Sequence, residues 1–248
     1  MKIGIMDSGI GGLTVLKECL AQIPEHEYLY YADSKNAPYG TKSSEEVYEL
    51  TEAAVNFLLA EGADVVVLAC NTATSAAARG LRQHCAAPII GMEPAIKPAL
   101  HAAKEKRVLV TATHLTLASK KFKELVAEMG VDHQIDCCPL TELVGYAEAG
   151  NFSDATIVPY LEEKLARFRL GDYASIVLGC THFPLFYNQF RKVLPEEVQI
   201  FDGSHGTVNR VKAFITENSP TPSVKLFLSG EHLEQGELFD RIQSLLNK

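Results

Sequence analysis

Asp64-Val65-Val66-Val67-Leu68-Ala69-Cys70-Asn71-Thr72 and Tyr173-Ala174-Ser175-Ile176-Val177-Leu178-Gly179-Cys180-Thr181-His182 decide how this chain is read. Each is a short apolar run that ends in a cysteine followed by small polar residues. A strand that is apolar throughout, rather than alternating, is buried on both faces. That pattern implies a parallel sheet covered by helices on each side. Around the first stretch the expected elements alternate. Ile3 to Met6 and Tyr28 to Ala32 read as strands, with a helix between them from Leu13 to Ile23. Residues Ser44 to Glu61 read as an amphipathic helix, capped by Ser43 or Ser44. A further helix is expected from near Thr74, and Pro88 to Gly91 as a fourth strand.

The second half repeats the first. Lys2 to Ser8 overlays Arg107 to Thr113, the two quoted stretches overlay with one residue of slack, and Pro88 to Gly91 overlays Gln199 to Asp202. The order and spacing are nearly kept, and Cys70 falls on Cys180. The expected fold is therefore α/β, with two pseudo-symmetric parallel-sheet α/β domains and the active site in the cleft between them. Residues 1–97 plus 206–248 form the first domain, which contributes Asp7 and Cys70. Residues 98–205 form the second, which contributes Cys180. The crossover falls near Met92 to His101. A strand over Val224 to Leu228 and a helix near Leu238 to Leu246 return to the first domain. In such sheets ligands bind beyond the carboxyl ends of strands, where Asp7, Cys70 and Cys180 fall.

Composition narrows the function. The chain has 248 residues, 47% of them apolar, enough to bury one large or two small cores. The formal net charge of −8, from 23 Lys+Arg against 31 Asp+Glu, argues against broad binding to nucleic acid. No apolar run reaches the roughly 18 residues of a membrane span. The opening Met1-Lys2-Ile3-Gly4-Ile5-Met6-Asp7 carries an acid where a secretory signal needs an apolar core. Six cysteines without CxxC or CxxC…H spacing disfavour a structural zinc site, a disulfide scaffold and a dithiol redox protein. A cytoplasmic protein with reduced thiols is expected.

Two thiols on opposite sides of a carbon atom can remove a proton from one face and return one to the other, which inverts a stereocentre. The α-proton of an amino acid is weakly acidic, so preorganised dipoles must stabilise the carbanion-like transition state. Helix N-termini favour anions, and both cysteines precede expected helix starts, a position that favours the thiolate.

Asp7-Ser8-Gly9-Ile10-Gly11-Gly12-Leu13-Thr14-Val15, Ala37-Pro38-Tyr39-Gly40, Ala69-Cys70-Asn71-Thr72-Ala73 and Leu178-Gly179-Cys180-Thr181-His182-Phe183-Pro184 together resemble the glutamate racemases. These belong to a wider aspartate/glutamate racemase superfamily. The likeness runs in order from residue 3 to about 205. It implies cofactor-independent interconversion of L- and D-glutamate, without a metal, supplying D-glutamate for peptidoglycan. It also implies a homodimer. By the same resemblance Cys70 acts on one face of the α-carbon and Cys180 on the other. Asp7 assists Cys70 and contacts the substrate ammonium, Ser8 binds substrate, and His182 assists Cys180. Pro38, Tyr39 and Gly40, with Asn71, Thr72 and Thr181, hold the carboxylates. Thr113 and Thr116 match the family's threonine pair. Glu148 matches its glutamate, at a slightly longer interval after Cys138-Pro139.

Plainer readings stand beside these. Asp7 alone reads equally well as an N-cap. The glycines at 9, 11 and 12 fit neither a dinucleotide fingerprint nor a P-loop, and read as permitting a tight turn. Cys19, Cys85, Cys137 and Cys138 read as packing residues. Asp33, ending a strand at the same sheet edge, is placed to shape the Pro38-Tyr39-Gly40 loop. An aspartate racemase, a one-cysteine decarboxylase and a two-lobed carboxylate-binding module are the competing functions. A binding module has no need of two equivalent thiols.

Overall fold

The computed structural model describes residues 1–246. In chain order the elements are β1 (Lys2–Asp7), α1 (Leu13–Gln22), β2 (Glu27–Ala32), α2 (Ser44–Ala60), β3 (Val65–Leu68), α3 (Asn71–His84), β4 (Ile89–Gly91) and α4 (Ile96–Ala103). The second half continues with β5 (Arg107–Ala112), α5 (His114–Ala118), α6 (Lys120–Met129), β6 (Ile135–Pro139), α7 (Glu142–Glu148), α8 (Asp154–Leu165), β7 (Tyr173–Leu178), α9 (Tyr187–Val193) and β8 (Gln199–Asp202). α10 (Ser204–Lys212), β9 (Ser223–Leu228), β10 (Glu231–His232) and α11 (Glu237–Leu246) complete the chain.

These strands form two sheets, ordered β10-β9-β2-β1-β3-β4 and β6-β5-β7-β8. Every pairing is parallel except β9 with β10. Under the internal repeat, β2-β1-β3-β4 becomes β6-β5-β7-β8, so neighbours as well as order are kept. The equivalence reaches single hydrogen bonds. Ala69 N–H donates to Met6 O (2.8 Å), and at the matching place Gly179 N–H donates to Thr111 O (2.6 Å). The strands are apolar throughout because both faces are covered: Ile3, Ile5, Met6, Val66, Val67 and Leu68 are fully buried, as are Val108, Val110, Ile176 and Val177.

Each half sends a helix to the other. α4 follows β4 but packs on β5 and β7, while α10 follows β8 but packs on α1 and β4. The expected boundaries at 97/98 and 205/206 fall just inside these two helices. The C-terminal strand β9 does return to the first sheet, pairing with β2, and α11 packs on α1. Residues 247 and 248 lie outside the described residues. One apolar cluster, including Leu13, Leu16, Leu143, Phe183, Phe190 and Val208, runs across both halves.

Three local expectations change. α3 starts at Asn71 rather than near Thr74, because the Cys70 thiol takes the N-cap position and accepts the Ala73 N–H at 3.4 Å. Asp7 does not cap α1, whose N-cap is Gly12 without a side-chain bond. Cys137 is exposed while Cys138 is buried, since neighbours on a strand face opposite ways. Among the described residues no helix is long and apolar enough to cross a membrane.

Candidate active site

In both sheets the first strand of the repeat lies between its two successors, so chain connections leave β1 toward opposite sides, and likewise β5. The crevice beyond the carboxyl ends at such a switch point is where open α/β sheets bind ligands. Asp7 ends β1 there with Ser8 next to it, and Cys70 follows β3. Thr113 follows β5 and Cys180 follows β7. The two crevices face each other, and polar contacts cross between them.

Asp7 is fully buried. Its carboxylate accepts the Gly9 N–H (3.0 Å) and, from the other half, the Thr181 hydroxyl (2.9 Å). Burial lifts its pKa to about 6, with Glu148 adding a smaller push, although His182 and the two donors pull it down. Ser8 Oγ lies 3.5 Å from Cys70 Sγ. Burial pushes the Cys70 thiol up to about 12, reinforced by the charges of Asp7 and Cys180. The Ala73 N–H and Ser8 oppose this shift. The helix start therefore does not make Cys70 a resting thiolate, contrary to the sequence expectation, because desolvation outweighs two hydrogen bonds.

Cys180 is supported differently. It does not open an α-helix; a tight 3-10 turn over Phe183–Phe186 precedes α9. Its sulfur faces His182 Nδ1 at 3.8 Å, and His182 Nε2 lies 2.6 Å from Glu148 Oε1. Burial works against charge on His182, but Cys180, Glu148 and Asp7 overcome it and hold the imidazole pKa well above its usual range. As an imidazolium both ring nitrogens are donors, one toward sulfur and one toward carboxylate.

Glu148 ends α7 and also ties the halves together. Its carboxylate accepts the Ile10 N–H (2.8 Å) and the Ser34 hydroxyl (3.4 Å). Thr72 at the start of α3 meets Thr113 (3.0 Å) and Thr116 (3.1 Å), and those two are 2.9 Å apart. Three buried hydroxyls from both halves thus share one spot. Beside them Asn71 is only 3% exposed, yet neither its Oδ1 nor its Nδ2 has a partner. A buried unpaired amide costs about 1–3 kcal/mol, and this one stands open beside the three hydroxyls.

The loop after β2 closes one side. Gly40 sits so near Thr113 that a β-carbon on it would lie 2.9 Å from the threonine's own. Pro38 is partly buried and Tyr39 buried. The Tyr39 hydroxyl donates to Asp33 Oδ2 (2.7 Å), so its proton is committed, and its remaining lone pair, ring and backbone are what it can offer a ligand. Asp33 does shape this loop, as its place at the sheet edge suggested.

The glycines of the first turn serve close approach rather than unusual backbone angles; none of residues 9, 11 and 12 has positive φ. A β-carbon on Gly11 would lie 2.3 Å from His182 Nδ1, and one on Gly9 1.9 Å from Glu148 Oε1. Tyr30, read from sequence only as packing, donates from its hydroxyl to Gly9 O (2.6 Å) and steadies that turn. Thr14 likewise reaches Thr181 O (3.3 Å). Neither carries a sequence signal, because each matters only through a partner remote in the chain. A cavity of about 1490 Å³ lies along the two crossovers, beside Glu93, Pro94, Gly203 and Ser204, and touches neither thiol. No group of three His, Cys, Asp or Glu side chains among the described residues is arranged to hold a metal.

A model of the Asp/Glu/Hydantoin racemase family matches residues 3–211. The chain belongs to that family. Within it, the chain is 46% identical over 218 residues to the glutamate racemase of Halothermothrix orenii, covering 88% of this chain and 86% of that one. It is 44% identical to the glutamate racemase of Campylobacter curvus, covering 100% and 98%. Among solved structures of the family, the Escherichia coli glutamate racemase in complex with L-glutamate and an activator superposes with a TM-score of 0.81. It is 27% identical, with 94% of this chain and 99% of that one covered. The Campylobacter jejuni glutamate racemase superposes with a TM-score of 0.83 at 25% identity, covering 100% and 98%.

Proposed function

We propose that this protein interconverts L- and D-glutamate by moving the α-proton between two cysteines. The observation that carries the reading is the pair Cys70 and Cys180 at equivalent strand ends of two facing repeats. Each has its own polar partners: Asp7 and Ser8 on one side, His182 and Glu148 on the other. The glutamate racemases among its relatives support the choice of substrate.

Cys70 rests as a neutral thiol, able to donate a proton to a carbanion-like α-carbon. In the reverse direction Asp7, ionised above about pH 6, is the group able to draw the Cys70 proton. On the other side His182, held as an imidazolium, donates toward the Cys180 sulfur and stabilises negative charge there, so that Cys180 can take the α-proton directly. Asn71, Thr72, Thr113, Thr116 and Thr181 offer hydroxyl and amide donors to two carboxylates, Pro38, Tyr39 and Gly40 wall the site, and Asp7 faces the ammonium. The preorganised donors at the start of α3 favour negative charge developing beside them. Both thiols and all five donors are almost fully covered, so substrate enters by parting of the two halves, which then close around it.

The partition into 1–97 with 206–248 and 98–205, a cytoplasmic location, a homodimer and a role in supplying D-glutamate for peptidoglycan belong to the same proposal. The test uses pure protein with L-glutamate in deuterated water, without added pyridoxal phosphate or metal. Loss of the α-proton signal by NMR, with inversion followed by circular dichroism, is expected. L-aspartate is expected to exchange far more slowly. No exchange with L-glutamate by folded protein with reduced thiols would sink the reading.

A further inference from the structure

Between β9 and β10 the chain turns through Ser229 (φ 46°) and Gly230 (φ 91°). A serine pays to hold that left-handed conformation, and here two of its polar groups make three hydrogen bonds. The Ser229 N–H donates to Ala32 O (2.8 Å), its hydroxyl donates to Asp33 Oδ1 (3.0 Å), and the same oxygen accepts the Lys35 N–H (3.2 Å). The hydroxyl thus brackets the first residues of the loop that runs on to Pro38, Tyr39 and Gly40.

Asp33 is the hub. It is 3% exposed, and besides Ser229 its carboxylate takes the Asn36 amide (3.0 and 3.1 Å) and the Tyr39 hydroxyl (2.7 Å). Tyr39 is 1% exposed and packs in the same buried cluster as Cys70. Gly40 abuts Thr113. A continuous path of hydrogen bonds, part-buried at Ser229 and buried at Tyr39, therefore runs from the C-terminal hairpin to the wall of the cleft. The exposed Lys35–Glu231 ion pair (2.7 Å) lies over it, and such pairs add little.

We propose that Ser229 is a positioning residue for the racemase site, acting through Asp33 to hold the loop that carries Tyr39 and Gly40 in its substrate-ready conformation. The proposal rests on the racemase reading for its consequence in turnover but not for its consequence in the loop. Without the hydroxyl, Asp33 and the Lys35 N–H each lose a partner and the loop samples other conformations. Apparent substrate affinity falls with the competent fraction. The thiols and their assistants are untouched, so the chemical step after binding keeps its rate.

Ser229→Ala and Ser229→Gly are compared by steady-state racemisation in both directions and by hydrogen exchange of the substrate-free protein. Glycine favours the turn's backbone, so Ser229→Gly keeps the hairpin while removing the hydroxyl. Both variants are expected to raise KM about tenfold with kcat close to the parent's, and to speed exchange in residues 33–42 but not in α3. Tyr39→Phe should raise KM similarly, and the double variant with Ser229→Gly less than additively, since both act on Asp33. Glu231→Gln should match the parent. Ser229→Gly with the parent's KM, or with unchanged exchange over 33–42, overturns the proposal. If the parent protein turns over no glutamate, the racemase reading fails, and the exchange result still decides whether Ser229 holds the loop.

Discussion

In the proposed reaction Asp7 serves chemistry at the expense of stability. Its folded pKa of about 6 lies above the ordinary aspartate value of 3.8. Between those two pH values the folded protein binds the proton more tightly than the unfolded chain does. The contribution of Asp7 to stability therefore falls as pH rises through that window, and the ionised group is a standing cost of roughly 3 kcal/mol at neutral pH. His182 runs in the same direction at higher pH, because its folded pKa is also raised. Its raised pKa contributes stability that is complete below the ordinary histidine value and is lost as pH rises through the folded value. Asp7→Asn is expected to lower kcat/KM by about a hundredfold or more while leaving the melting temperature at pH 8 unchanged or higher. In the parent protein, log kcat/KM should fall on the acid side with an apparent pKa of about 6, and the variant should lack that limb. A pH–rate series and a thermal melt check both outcomes.

At the scale of elements, the site is a set of strand-to-helix turns pressed together. The β1–α1 turn can approach β7's end only because Gly11 has no side chain. Gly11→Ala places a carbon within contact of the buried His182, which has no room to yield. A displacement of about 1 Å at a reacting group costs on the order of a hundredfold in rate. Turnover should fall by that much, with helix content by circular dichroism retained. The start of α5 is equally specific. Thr113 caps it by accepting the Thr116 N–H (3.2 Å) and also closes the hydroxyl cluster with Thr72. Thr113→Val keeps the shape and removes both bonds. It should cost about 1–2 kcal/mol in denaturant unfolding and raise KM in the same protein, a pairing that a capping role alone does not produce.

The whole molecule is two copies of one sheet that exchange their last helices, α4 and α10. That exchange joins the halves through packed crossovers, while on the cleft side polar contacts cross between them. At Gly203 the crossovers touch so closely that a β-carbon would lie 2.6 Å from Glu93 O. On the proposed route of substrate entry, parting of the halves breaks the contacts of Asp7 with Thr181, of Glu148 with Ile10 and of Thr72 with Thr113. It leaves the crossovers packed. A ligand that replaces those contacts stabilises the closed form, by about 2.7 kcal/mol at a hundred times its Kd. For a chain of this size that is a rise of several degrees in melting temperature. D-glutamate should produce it, and a thermal shift series against concentration reads it directly.

Much of this was legible in the chain itself. Uniform apolar strands with a cysteine after two of them specify a parallel, doubly covered sheet, because burial on both faces leaves no place for polar alternation. Two runs that match in order and spacing specify the repeat, and with it the equivalence of Cys70 and Cys180. The motifs also marked Asp7, the threonines, His182 and Glu148. Tertiary structure alone decided what those residues feel. Burial, a property of the packed whole, raises Cys70 and Asp7 against the local pull of a helix start and a cap. The fitting of Gly9 against Glu148, of Gly11 against His182 and of Ser229 against Asp33 joins residues far apart in sequence, which no local pattern encodes. Short-range propensity wrote the elements, and long-range packing set their electrostatics and their fit.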